Sequence, residues 1–120
     1  MKVAVIGSRN CGSLTVDDMI QYIPANCSQI ISGGANGVDT LAKAAAEKLN
    51  IAYTEFLPDY KKYGRKAPII RNEQIVKNAY YVLAFWDMES KGTASAIDLC
   101  IKNYIPFKII SIEDKIVSEQ

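Results

Sequence analysis

Apolar, β-branched runs recur along the chain at Val3–Ile6, Gln29–Ser32, Ala52–Phe56, Tyr80–Trp86 and Phe107–Ile112, with starts roughly 23 to 28 residues apart. Segments with helical periodicity separate them. This alternation is the pattern of βα units and predicts a parallel sheet. The runs are almost continuously apolar, as expected when helices cover both faces of the sheet. Thr15 and Asp18 form a capping box for a first helix that buries Val16, Met19, Ile20 and Ile23. Asp17 and Asp18 also suit the positive end of that helix. A second helix is predicted from about Gly37 to Leu49, burying Val38, Leu41, Ala42, Ala45 and Leu49. A third begins near Pro68, a residue suited to a first helical position, and turns Ile69, Asn72, Ile75, Val76 and Ala79 to one side. A fourth begins near Thr93, buries Ala94, Ile97 and Ile101, and stops before Pro106. The predicted fold is a Rossmann-like α/β domain over residues 1–120. Its parallel sheet has about five strands with helices on both faces, and 112–120 form a frayed tail or a short added helix.

Composition narrows the function classes. At 120 residues the chain has room for one domain with a core that needs no metal or disulfide staple. No apolar run approaches the roughly 20 residues that span a bilayer. The run after Met1-Lys2 is too short for a signal-peptide core, so a cytoplasmic protein with no membrane partner is expected. The net charge of +1 lacks the basic excess of a duplex-binding module, which disfavours nucleic acid without closing off local basic loops. Cys11, Cys27 and Cys100 are far apart and there is no histidine. No metal site is expected, and histidine-based catalysis is excluded.

The glycines carry the candidate chemistry. Ligands in open α/β sheets bind beyond the carboxyl ends of the strands. Six of the seven glycines follow the first, second and fourth strands, and Gly64 follows the third. The first loop, Gly7-Ser8-Arg9-Asn10-Cys11-Gly12-Ser13, has P-loop glycine spacing but lacks the Lys-Ser/Thr that follows it. It also fails the dinucleotide fingerprint, because Arg9 takes the second glycine position and no acid follows Ser32. Arg9 beside Ser8 suits a phosphate. The second loop, Ser32-Gly33-Gly34-Ala35-Asn36-Gly37-Val38-Asp39, gives the strongest signal. Its glycines let backbone N–H groups approach a ligand, and the helix N-terminus favours an anion. Asp39 is either a cap or a brace for the neighbouring loop. Thr93, after Gly92, either caps the fourth helix or meets the ligand. Arg71 and Asn72 sit near the start of the third helix, as a solvated pair or facing the same crevice. Trp86 ends the fourth strand, as core or as a wall for a stacked base.

Together the segments GSR, SGGANGVDTLA, YGRKAPIIRNEQIV and AFWDMESKGTASAIDLC resemble the YspA-like (cpYpsA-related) branch of the SLOG superfamily, from Val3 to about Ile110. That superfamily groups the DprA/Smf DNA-processing proteins with the LOG nucleotide phosphoribohydrolases. The resemblance implies a nucleotide or nucleotide-derived ligand over the glycine loops, and no required cofactor is expected. It places Gly7, Ser8 and Arg9 at the base of the site, with Gly33, Gly34, Gly37 and Asp39 in the second loop. Arg71 and Asn72 would face the ligand, and Gly92 with Thr93 would hold the phosphate. The same resemblance implies a homodimer. LOG enzymes carry a catalytic glutamate just after Gly-Thr, whereas Gly92-Thr93 is followed by Ala94-Ser95-Ala96 and no carboxylate before Asp98.

The main expectation is therefore a nucleotide-binding module that acts as a sensor. Two alternatives stay open. One is an N-glycoside hydrolase of nucleotides with Asp39, Asp87 or Asp98 as acid and Arg71 in the site. The other is a DprA-like binder of single-stranded nucleic acid, using Lys61, Lys62, Arg65 and Lys66 interleaved with Tyr60 and Tyr63.

Overall fold

The computed structural model describes residues 1–34 and 36–112. The elements run β1 (Lys2–Gly7), α1 (Val16–Ile20), β2 (Gln29–Ser32), α2 (Val38–Leu49), β3 (Ala52–Glu55), α3 (Tyr60–Tyr63), a 3-10 turn (Gly64–Lys66), α4 (Ala67–Asn78), β4 (Tyr81–Trp86), α5 (Lys91–Lys102) and β5 (Phe107–Ser111). The five strands form one sheet in the order β3-β2-β1-β4-β5, with every neighbouring pair parallel. The expected Rossmann-like sheet is thus present, with all five strands within a residue or two of their predicted bounds. The tail expected over 112–120 lies, beyond Ile112, outside the described residues.

Burial follows position in the sheet. β1 and β4 are central, and Val3 to Ile6 and Val82 to Phe85 are buried throughout. The edge strands β3 and β5 expose part of each face. One face packs Val3, Val5, Ile30, Leu83 and Phe85 against Met19 of α1 and Val38, Ala42, Ala45 and Ala46 of α2. The other packs Ala4, Ile6, Ile31, Val82 and Ala84 against Ile75 and Val76 of α4 and Ala96, Ile97 and Cys100 of α5. Each central strand thus alternates its side chains between two apolar layers, which removes the polar alternation of a one-sided sheet.

The capping box of α1 forms as the sequence predicts: Asp18 N donates to Thr15 Oγ1, and Thr15 N donates to Asp18 Oδ2, both at 3.1 Å. Helix faces differ from expectation in three places. Leu49 is 38% exposed, because it closes the last turn of α2, where the buried stripe has already ended at Ala46. Ile69 is exposed on the first turn of α4. α5 begins at Lys91, and its buried stripe runs through Thr93, Ala96, Ile97 and Cys100, leaving Ala94 half-buried and Ile101 exposed. The short helix α3 and the 3-10 turn occupy a segment that reads from sequence as a basic loop.

Candidate functional site

The strand order reverses between β1 and β4, where β2 and β3 continue to one side and β5 to the other. Loops leaving two such strands diverge and open a crevice at their carboxyl ends. A cleft of about 500 Å³ lies there. The loop after β1 lines it with Gly7 to Asn10, the loop after β2 with Gly33, and the first turn of α2 with Asp39. Arg71 and Asn72 enter from α4, and Asp87 and Ser90 to Thr93 from the turn into α5.

The first loop is fixed to its neighbours through its backbone. Ser8 is buried; its N–H donates to Phe85 O at 3.1 Å, and its Oγ accepts from Asp87 N at 3.1 Å. Its carbonyl accepts from Val38 N, the first residue of α2, at 3.2 Å. Gly37 holds φ +78°, and a Cβ there would overlap the carbonyl oxygen of Arg9. The N-terminus of α2 is therefore covered by the carbonyls of Ser8 and Arg9. This differs from the sequence expectation that it would receive a ligand anion. Val38 is fully buried in the core and does not line the cleft.

Arg71 and Asp39 meet at Gly33. Arg71 Nη1 donates to Gly33 O at 3.0 Å, and Arg71 Nε donates to Asn72 Oδ1 at 3.0 Å. A Cβ on Gly33 would lie 2.6 Å from Arg71 Nη1 and 3.2 Å from Asp39 Oδ2. Asp39 is buried and sits in the first turn of α2. Arg71 is thus pinned as a wall of the cleft, and two of its five N–H donors are engaged. Gly34 instead faces Leu57 and Glu55 near the end of β3. Ala35, also expected in the site, lies outside the described residues.

The turn from β4 into α5 is organised by Asp87. Its Oδ1 accepts from Glu89 N at 2.9 Å and Ser90 N at 2.7 Å, and its Oδ2 accepts from Ser90 Oγ at 2.9 Å. The backbone N–H groups of Glu89 and Ser90 hold its carboxyl down to about 2. Asp87 is thus ionised at neutral pH and has no proton to give as a general acid. Trp86 Nε1 donates to Ser90 O at 3.0 Å, so the indole braces this turn. Trp86 packs against the α4–α5 layer and does not line the cleft, so the expected base-stacking wall is absent there.

Ser90 occupies the N-cap position of α5 but makes no capping bond. Its hydroxyl is committed to Asp87. The first N–H groups of α5 therefore receive no side-chain cap, and Lys91, Gly92 and Thr93 border the cleft. Thr93 is not the cap; it is buried in the first turn of α5 and borders the cleft. Asp98 is exposed farther along α5 and does not line the cleft. Lys91 and Asn10 also line the cleft, and sequence reasoning passed over both. Their signal was position alone, each being one residue from a predicted site residue.

Three basic side chains, Arg9, Arg71 and Lys91, share the cleft with two acids, Asp39 and Asp87. Asp87 is spent on backbone donors, and Asp39 lies against Gly33 beside Arg71. The open N–H groups of α5 add to the positive side. The arrangement suits an anion with several oxygens, such as a phosphate. Among the described residues no cluster of Asp, Glu or Cys could hold a metal ion, and no helix is long and apolar enough to cross a membrane. A smaller hollow of about 250 Å³ adjoins the cleft and shares Arg71 with it.

Residues 1–59 match the family model of DNA recombination-mediator protein A. No curated protein matches the chain. Among solved structures it is similar to DNA processing protein A from Helicobacter pylori, known for a single-stranded DNA binding mode, with 20% identity and a TM-score of 0.73. That match covers 98% of this chain and 70% of the other. It is also similar to DNA processing protein A (DprA) from Streptococcus pneumoniae, with 21% identity, a TM-score of 0.76 and coverage of 98% and 56%. At these identities the likeness shows the fold. The family match covers β1, β2, β3 and the first two glycine loops, and it falls on the DprA side of the superfamily that the sequence resembles.

Proposed function

We propose that the chain binds single-stranded DNA, with a backbone phosphate seated in the cleft between Arg9, Arg71 and the open N-terminus of α5. The observation that carries this reading is the convergence of three basic side chains and the uncapped start of α5 at the topological switch point. The family match over residues 1–59 and the likeness to a protein with a single-stranded DNA binding mode support it. They favour DNA over the free nucleotide that the sequence reading put first. A net charge of +1 is compatible with a strand held by a few local contacts rather than by a broad basic face. Fluorescence anisotropy with labelled oligo-dT tests it: binding that weakens as salt rises is expected, and no binding at low salt refutes it.

A free nucleotide is the second reading, favoured by cleft size, since about 500 Å³ falls within the usual range of roughly 300–1,000 Å³ for small-molecule sites. Hydrolysis of an N-glycosidic bond has less support. Asp98 lies outside the cleft and Asp87 stays ionised, so Asp39 is the one sequence candidate left to serve as acid. Release of free base from nucleoside monophosphates by the wild type but not by Asp39→Asn would establish it. The YspA-like branch and a homodimer belong to the same proposal, and sedimentation of the purified chain decides the latter.

A further inference from the structure

Arg71 has two sides. One faces the cleft at the end of β1, and the other borders the smaller hollow lined by Leu57, Asp59, Lys62, Tyr63, Ala67 and Gln74. This hollow measures about 250 Å³, below the usual range for a site holding a ligand by itself, roughly 300–1,000 Å³. Its chemistry is also incomplete for a separate ligand: one flexible lysine, one aromatic ring and a few apolar surfaces. These are the parts that single-strand binders repeat along a strand, an aromatic face for a base and a cation for the next phosphate. Lys62 Nζ lies 5.2 Å from the centroid of the Tyr63 ring, so cation and ring are held together. Leu57 and Tyr60 are exposed beside them, each by more than half of its surface. The one acid, Asp59, is engaged: its Oδ1 accepts from Lys62 N at 3.1 Å and starts α3.

We infer that this hollow is a second subsite, which takes the nucleotide next to the one whose phosphate sits in the cleft. Its base stacks on Tyr63, its phosphate meets Lys62, and Arg71 is the partition that both units share. The inference rests on the proposed single-stranded DNA binding, and it adds a direction for the strand: out of the cleft, past Arg71, and over α3.

The test compares thymidine 5′-monophosphate with short oligo-dT on the wild type, Lys62→Gln, Tyr63→Ala and Tyr63→Phe. The wild type should bind the oligonucleotide more tightly than the monophosphate. Tyr63→Ala should weaken oligonucleotide binding by roughly fivefold or more, the lower end of what one stacked base contributes. Lys62→Gln should weaken it severalfold, both variants should leave monophosphate binding unchanged, and Tyr63→Phe should restore wild-type behaviour. Oligonucleotide binding that is unaffected by Lys62→Gln and Tyr63→Ala would overturn the second subsite while leaving the cleft reading intact. Equal losses for monophosphate and oligonucleotide would overturn it as well, because the variants would then be disturbing the fold. If the wild type binds no oligonucleotide at all, the proposed function itself fails.

Discussion

The N-termini of α2 and α5 lie on the same edge of the sheet, and each has a glycine at its start, Gly37 at the cap of α2 and Gly92 in the first turn of α5, yet they are used in opposite ways. At α2 the space is filled from within the protein. Val38 N donates to Ser8 O, and the carbonyl of Arg9 presses against Gly37. Gly33 has Arg71 against it, and Gly34 has Leu57 and Glu55. At α5 the single glycine, Gly92, has nothing against it, and the one hydroxyl at the cap position has been drawn off by Asp87. A glycine records that something comes close to the backbone. Whether that something is a ligand or another loop is settled by what else the fold brings there.

The largest test of this contrast is substitution of the glycines themselves. Gly37→Ala should cost at least about 2 kcal/mol in urea unfolding, because the alanine is strained at φ +78° and overlaps a backbone carbonyl that cannot swing aside. A near-neutral result would mean that the first loop does not lie on α2. Arg71→Ala comes next. It removes a cation from the cleft and a donor from Gly33 O, and it should weaken oligonucleotide binding about tenfold, roughly 1.4 kcal/mol. Gly92→Ala should be smaller and opposite in sign for folding, a gain of roughly 0.5–1 kcal/mol from helix propensity, with a loss of ligand affinity. Unchanged affinity would argue that no ligand approaches α5 closely.

The smallest effect is the pH dependence set by Asp87. Its carboxyl is held at about 2 in the folded chain, below the usual 3.8. A depressed value contributes stability that is present above the unfolded value and lost as pH falls through the folded one. The difference in Tm between the wild type and Asp87→Asn should therefore shrink steadily from about pH 4 to about pH 2. A constant difference over that window would mean that the carboxylate does not hold the turn ahead of α5.

The two helix ends also show what was legible in the sequence. The strands could be placed because β1, β2 and β4 are buried on both faces and read as unbroken apolar runs. The α1 cap could be read because Thr15 and Asp18 satisfy each other locally. Arg9, Arg71, Asn72, Gly92 and Thr93 were expected in one crevice, and the structure brings them there. The occupancy of α2 was not legible, since it depends on the carbonyls of a loop 28 residues away, reaching from Ser8 and Arg9 to Gly37. The role of Trp86 was hidden for the same reason. Its bond to Ser90 O forms only once the turn has folded.

The account's central claim is that a single strand is held at the open end of α5 by side chains, not at the glycine-rich end of α2. The most direct measurement is the salt dependence of oligo-dT binding by the wild type and by the Arg9→Gln/Lys91→Gln double variant. For single strands the logarithm of affinity falls with the logarithm of salt by about 0.7 per phosphate neutralised. The account predicts weaker binding and a slope shallower by up to about 0.7, the contribution of the one phosphate seated in the cleft, with an unchanged unfolding midpoint. A double variant that binds with the wild-type slope and affinity would place the strand elsewhere on the protein and contradict the claim.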